Sequence, residues 1–145
     1  FNEIAQDYSK SHIKMKFKIK NVAGDAAYTE FVGHEVTRDY LRSMVKRRTS
    51  RIDTILPLLT RDGKLLRVTV VCLTLTRAEQ SQVHAIRKAV TQMLNAKAAE
   101  SDFDTLVKEI VSGDLAREIF KAVKTIYPMR RVEITKSRLE QIAAV

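Results

Sequence analysis

The sequence predicts an α+β fold, a twisted, mostly antiparallel, barrel-like sheet flanked by about four helices. Three observations predict it. Segments with apolar residues at every second position occur alongside segments with apolar residues every three or four. They fall in the order strands, helix, strands, three helices, strand. The 145 residues are 45% apolar and 30% charged, which is the composition of a folded chain. With no internal repeat and no linker, residues 1–145 are expected to form one domain, burying roughly 70% of the unfolded surface.

His12 to Val22 alternates: Ile13, Met15, Phe17 and Ile19 on one face, Lys14, Lys16, Lys18 and Lys20 on the other. That is a half-buried strand. Gly24-Asp25 marks a turn, and Ala27 to Val32 returns to complete a hairpin. Thr37 has the place of a helix N-cap, with Val36 and Leu41 spaced as a hydrophobic staple. Leu41, Met44, Val45 and Arg48 share a face of this helix, which is expected to end near Thr49-Ser50. Arg51 to Thr60 is extended, and Pro57 sends it to a sheet edge or a bulge. Asp62-Gly63 turns the chain into a valine-rich strand from Leu65 to Leu75, apolar enough to be central and covered on both faces.

Thr76-Arg77-Ala78-Glu79 has the form of a capping box opening a helix to about Ala99. Val83, Ile86, Val90, Met93 and Leu94 form its apolar stripe. Ser101 or Asp102 caps a third helix carrying Phe103, Leu106, Val107, Ile110 and Val111, which Gly113 ends. Asp114 caps a fourth, with Leu115, Ile119, Phe120 and Val123 inward, stopped by Tyr127-Pro128. Arg131 to Thr135 alternates as a short last strand, and the tail beyond is weakly patterned.

Catalytic constellations are scarce. His34-Glu35 lacks the second histidine of a zinc-protease helix, since position 38 is arginine. His12, His34 and His84 lie on different elements, so no metal and no cofactor are expected. Cys72 is mid-strand in an apolar run, the setting of an inert thiol, and a lone cysteine excludes a disulfide framework. Asp102 and Asp104 serve a helix start rather than acid–base chemistry. No apolar run approaches the roughly 20 residues of a membrane helix. No signal peptide is visible, and the first residue, Phe1, is expected to mark a trimmed chain.

The informative residues are basic. Lys and Arg number 26 against 17 acids, a net charge of +9 that favours an anionic partner. The lysine ladder 14, 16, 18, 20 places ammonium groups ~6.6 Å apart over ~20 Å. Such a row can track a sugar-phosphate backbone, and it can equally protect an exposed sheet edge. Arg38, Arg42 and Lys46 recur every four residues as one helical stripe, followed by Arg47, Arg48 and Arg51, with Asp39 as the one acid among them. Like charges at that spacing repel by a few tenths of a kcal/mol, so an external anion is the natural counterpart; a solvated face or pairing with Glu35 or Asp53 is the alternative. His84, Arg87, Lys88 and Thr91 line the polar face of the long helix, and Arg130 and Arg131 leave the chain together after Tyr127-Pro128. No aromatic platform accompanies these cations. Their spread over several elements fits a protein embedded in folded RNA better than a reader of one groove. Two other classes remain at this point: an RNA-acting enzyme using His84 or His34, and a protein-interaction module with a basic face.

The run from Phe31 to Arg48, FVGHEVTRDYLRSMVKRR, followed by Ser50-Arg51-Ile52-Asp53, resembles the archaeal and eukaryotic small-subunit ribosomal protein family S3Ae (eS1). Thr60-Arg61-Asp62-Gly63, Ala85-Ile86-Arg87-Lys88 and the run Ile126 to Ile134, IYPMRRVEI, resemble it as well, in the same order. The likeness is to an archaeal-type member. It implies a cytoplasmic, non-catalytic constituent of the small subunit, on the platform near the 3′ end of the rRNA. The implied partners are small-subunit rRNA, neighbouring small-subunit ribosomal proteins and mRNA near its exit path, with no membrane. RNA contact is carried onto Arg38, Arg42, Lys46, Arg47, Arg48 and Arg51, and onto Arg87, Lys88, Arg130 and Arg131. The resemblance also implies a basic region with a further strand upstream of Phe1, and it lacks the charged C-terminal extension of eukaryotic members.

Overall fold

The computed structural model describes residues 10–140, so the tail beyond 140 lies outside the described residues. Two hairpins and one late strand build the sheet. β1 (Ile13–Ala23) and β2 (Ala26–Val36) turn at Gly24-Asp25; β3 (Arg51–Leu59) and β4 (Leu65–Thr74) turn at Asp62-Gly63. β5 (Met129–Glu140) inserts between the hairpins, giving the order β1-β2-β5-β4-β3, antiparallel throughout. Among the described residues the sheet is open, with β1 and β3 as its edges. Pro57 lies exposed on edge strand β3, where its missing N–H breaks no ladder.

The helices are α1 (Arg38–Met44), α2 (Gln80–Glu100), α3 (Phe103–Ser112) and α4 (Asp114–Lys124). α2, α3 and α4 cover one sheet face. Ile86, Val90 and Leu94 of α2, Leu106 of α3 and Ile119 and Val123 of α4 are fully buried against Leu58, Leu66, Val68, Val70 and Cys72. Each such aliphatic side chain is worth about 1.5–3 kcal/mol of transfer free energy. α1 covers one end of the other face, packing Tyr40, Leu41 and Met44 on Val71 and Leu73. β4 is therefore covered on both faces towards its C-terminal end, while Arg67 on its outer face stays exposed.

Several boundaries differ from the sequence expectation, each for a local reason. α1 stops at Met44, not near Thr49-Ser50, because Val45 is already extended, Ser50 is hydrogen-bonded to Thr74 and Arg51 opens the β3–β4 register. Val45 and Arg48 are consequently exposed, and Lys46 leaves the stripe begun by Arg38 and Arg42. The capping box lies three residues later than expected: Gln82 Oε1 accepts the Glu79 N–H at 3.0 Å. Thr76 cannot cap, because its hydroxyl bonds Tyr127 Oη at 2.7 Å. At α3 the cap comes from a distant turn, with the Phe103 N–H donating to Asp62 Oδ2 at 3.0 Å. Asp114 is the first residue of α4 rather than its cap; Gly113, at φ +87°, joins the two helices.

β2 continues past Val32 to Val36, and β5 runs from Met129 to Glu140 rather than from Arg131 to Thr135. A register shift at Thr135 explains the second miss. Ile134 and Thr135 are both buried, and beyond them Ser137 takes an inward position, so the apolar alternation breaks. The half-buried reading of β1 holds for Ile13 and Met15 only. Farther out Phe17 and Ile19 are 46% and 60% exposed, because β2 pairs with β5 only at Gly33–Glu35 and the ribbon beyond has no third strand.

A buried polar bolt holds that short seam. His34 donates its backbone N–H to Ser137 Oγ (3.2 Å); its Nδ1 lies 2.5 Å from the same hydroxyl and its Nε2 3.0 Å from the Ile134 carbonyl. The neutral ring satisfies this set when Nε2–H donates to the carbonyl and Nδ1 accepts from serine. Burial lowers the His34 pKa, with the Ile134 bond opposing. Gly33 beside it has no room for a side chain: a Cβ would stand 2.3 Å from the Ser137 carbonyl oxygen.

Candidate nucleic-acid interface

The stretch after α1 is shaped by three hydrogen-bonded hydroxyls. Thr74 Oγ1 accepts the Ser50 N–H (2.8 Å), and the Thr74 N–H donates to the Ser50 carbonyl (3.0 Å). Ser50 Oγ then accepts the Ala78 N–H at 3.0 Å. Tyr127 donates its O–H to the Arg77 carbonyl at 3.0 Å while accepting from Thr76. The loop before β3 and the segment before α2 are thereby tied side by side. Between α1 and Ser50 the chain turns tightly: Thr49 Oγ1 donates to the Lys46 carbonyl (2.6 Å), and Arg48 takes φ +61°. A left-handed arginine costs ~1–2 kcal/mol and persists because both flanks are fixed.

The result is a concavity of about 530 Å³ whose rim carries Lys46, Arg47, Arg48, Arg51, Arg77 and Arg87. Among the described residues no carboxylate lines it. Arg51 Nε donates to Asp53 Oδ1 at 2.9 Å; among the described residues the other five cations have no ion pair or hydrogen bond through their charged groups. Six positive groups around an open hollow, held by a backbone that cannot relax away from them, set up an anion-attracting field. Guanidinium forks suit phosphate oxygens, which they can grip in pairs.

The structure brings Lys46, Arg47, Arg48, Arg51 and Arg87 to this hollow and leaves the remaining predicted residues elsewhere. Arg38 and Arg42 are exposed on α1 and Lys88 on α2, none with an ion pair. Lys14, Lys16 and Lys18 share the outer face of β1, but Lys16 binds Glu35 at 2.9 Å, and this bond holds the Glu35 carboxyl below its ordinary pKa. Lys20 sits at a register shift, 3.9 Å from Glu30, so the ladder loses its even spacing there. Arg130 and Arg131 do not project together. Arg130 is skipped by a bulge and its Nη1 is enclosed without a partner, whereas Arg131 bonds Glu133 at 2.8 Å and the Tyr40 hydroxyl, its guanidinium 5.3 Å from that ring. Adjacent strand residues diverge, so that pair could not act as one group.

Arg77 was missed because it sits inside the apparent capping box; the true N-cap is Glu79, which frees the arginine for the rim. Other groups of chemical interest are spoken for. Cys72 is buried, its thiol pushed up to about 12 by burial and by the nearby Asp53. Both ring nitrogens of His34 are engaged in the β2–β5 seam. Among the described residues no three His, Cys, Asp or Glu side chains converge in metal-binding fashion, and no helix is long and apolar enough to cross a membrane.

Comparison with known proteins adds a second line of information. Residues 1–142 match the model of the Ribosomal S3Ae family. The chain is 81% identical over 143 residues to the small ribosomal subunit protein eS1 of Methanoculleus marisnigri, covering 99% of this chain and 73% of that one. It is 59% identical to the protein of the same name from Methanoregula boonei, covering 98% and 71%. The counterpart in Sulfurisphaera tokodaii is 43% identical, with 94% and 71% covered.

Proposed function

The chain belongs to the Ribosomal S3Ae family, and on that premise we propose that it is a structural, non-enzymatic constituent of the archaeal small ribosomal subunit, held to rRNA by its unpaired cations. Residues 1–145 act as one cytoplasmic RNA-binding unit. The contacts run through Lys46, Arg47, Arg48, Arg51, Arg77 and Arg87 at the hollow, with Arg38, Arg42 and Lys88 flanking it. Lys14, Lys18, Arg130 and Arg131 contribute at the margins, and Lys16 and Lys20 only when they exchange a carboxylate for a phosphate. Its place is the platform, beside neighbouring small-subunit proteins and close to where mRNA leaves.

One observation carries this reading: six cations ring a hollow lined, among the described residues, by no acid. That arrangement opposes folding by self-repulsion and is relieved by a polyanion. Phosphate contacts position such a protein without reading sequence, which suits a component of a fixed assembly. The test is salt dependence. If about six phosphates are neutralised, log affinity for small-subunit rRNA falls with log salt at a slope of roughly −4 to −5. Filter binding across a potassium chloride series measures it. Arg47→Ala with Arg87→Ala should weaken binding and flatten the slope by roughly 1 to 2. A slope near zero for the unaltered chain refutes the proposal.

A further inference from the structure

A second cationic surface lies on the sheet face away from α2, α3 and α4. Residues directly paired across an antiparallel sheet point to the same side. The register therefore places Lys16, Gly33, Arg138, Arg67 and Pro57 on one outward rung, and Lys14, Glu35, Lys136, Thr69 and Ile55 on the next. α1 packs its apolar residues on Val71 and Leu73, farther along β4, and meets these rungs only at their margin, where Arg38 acts on Glu35. Among the described residues Lys14, Lys136 and Arg138 are exposed without an ion pair or hydrogen bond, although Lys136 acts on Glu35 at longer range and Arg138 shares a shallow hollow with Glu30 and Glu140. Arg67 and Lys16 are engaged only by half-exposed contacts to Glu140 and Glu35, both at 2.9 Å. Three strands thus supply cations to one bare sheet face, and three of them, Arg67, Lys136 and Arg138, stand outside every basic run in the sequence.

This surface is not continuous with the hollow. Between them the rung Asp53, Val71, Glu133 carries two outward carboxylates, each bound to its own arginine, Arg51 (2.9 Å) and Arg131 (2.8 Å). From Arg67 to Leu73, which faces Arg51, the strand advances ~20 Å. A backbone crossing along the sheet would pass both carboxylates, and one crossing over α1 would have to climb that helix, whose exposed Arg38 and Arg42 belong with the hollow.

We infer that the outer sheet face around Arg67, Lys136 and Arg138 binds a second RNA backbone segment, so that one chain joins two stretches of RNA. The inference rests on the proposed RNA-binding role and adds a second, separate contact to it. Flat cationic sheet faces without stacked aromatic side chains hold sugar-phosphate rather than bases, so this contact is insensitive to sequence.

The experiment uses the full chain and short RNA hairpins carrying two different dyes. Dual-colour coincidence and sedimentation count how many hairpins one chain holds. The unaltered chain should hold two, of different colours. The triple variant Arg67→Ser, Lys136→Ser, Arg138→Ser should hold one, with its first binding event intact and the overall salt slope shallower by roughly 2 to 3. A triple variant of the hollow, Arg47→Ser, Arg77→Ser, Arg87→Ser, should also hold one. Circular dichroism confirms that each variant is folded, and Arg138→Glu alone, a milder change to the sheet, should weaken only the second event. A chain that saturates at one hairpin, or a sheet-face variant that still holds two, overturns the inference while leaving the proposed function standing. Absence of any RNA binding by the unaltered chain overturns both.

Discussion

Gly33→Ala is the sharpest probe of how this fold is held. The added methyl carbon would lie 2.3 Å from the Ser137 carbonyl oxygen, 3.2 Å from its carbon and 3.3 Å from Arg138 Cα. All three are backbone atoms of β5, so no side chain can swing aside. The strands must separate at a seam only three residue pairs wide, Gly33 to Glu35 against Lys136 to Arg138. Forcing extra volume into a tight contact costs about 1–3 kcal/mol. Loosening the seam also strains the bonds of buried His34 to Ser137 and Ile134, and a buried polar group losing its partner costs another ~1–3 kcal/mol. The two overlap, so about 2–4 kcal/mol is expected. With a urea m-value of roughly 1.5–2 kcal/mol per molar, the midpoint falls by about 1–3 M. Gly24→Ala is the control: Gly24 has φ +59° but open space around it, so alanine meets only the left-handed backbone penalty of ~1–2 kcal/mol. Equilibrium urea unfolding of the two variants decides the matter. If Gly33→Ala unfolds at the same midpoint as the unaltered chain, or costs less than Gly24→Ala, the close-approach reasoning is wrong.

Three further outcomes follow from the same structure. Because burial lowers the folded-state pKa of His34, the unfolded chain takes up its proton more readily. The stability His34 supplies is complete above its unfolded pKa near 6.5 and declines as pH falls below it toward the depressed folded value. Urea midpoints at about pH 7.5 and 5.5 should differ for the unaltered chain and differ less for His34→Asn. Cys72, with its thiol at about 12 and no exposed surface, should resist a disulfide-exchange reagent in the native chain and react fully in urea; prompt native labelling contradicts its burial. Tyr127→Phe removes the hydroxyl shared by Thr76 and Arg77, costing about 1 kcal/mol of stability and weakening RNA binding through a loosened Arg77. If stability drops while affinity and salt slope stay unchanged, Arg77 is not an RNA contact.

The parts of the fold legible from sequence are those in which neighbouring residues decide the outcome. The Gly24-Asp25 and Asp62-Gly63 turns, the edge position of Pro57 and the apolar stripe of α2 depend on local chemistry, and the structure has them where expected. The misses share one cause, a long-range partner that overrides the local signal. Thr76 looks like a cap until Tyr127, 51 residues away, claims its hydroxyl. The basic run after Met44 looks helical until the Ser50–Thr74 pairing fixes its end. β5 looks short because a bulge at Thr135 breaks its period and puts a serine, useful only to His34, in an inward position. For the candidate site, local charge density found Lys46 to Arg51 and Arg87. It missed Arg77, and it did not single out Arg67, Lys136 and Arg138, because cations at alternate positions of two distant strands, β4 and β5, leave no run to see.

That contrast gives the uncharged residues of the β2–β5 seam a functional weight. Among the described residues β1 and β2 pair with the rest of the sheet only at Gly33, His34 and Glu35, helped by Phe31 against Phe103 and Glu30 with Lys64. The lysines of β1 are therefore placed relative to Arg67 and Arg138 by a glycine that permits close approach and a histidine–serine bond that sets the register. A small rotation about this seam would move Lys18 and Lys20, at the free end of the ribbon, more than Lys14 near its root. Cations on a rigid support bind a fixed polyanion without paying to order themselves, whereas cations on a loose ribbon must. The seam thus couples stability to affinity. Ser137→Ala, which removes no charge, is expected to loosen the ribbon and weaken contacts made by Lys14 to Lys20 while leaving those at Arg87 intact. Hydrogen exchange of the β1 amides, read beside RNA affinity for the same variant, checks the coupling; fast exchange with unaltered affinity would show that the ribbon's lysines make no contact that depends on the seam.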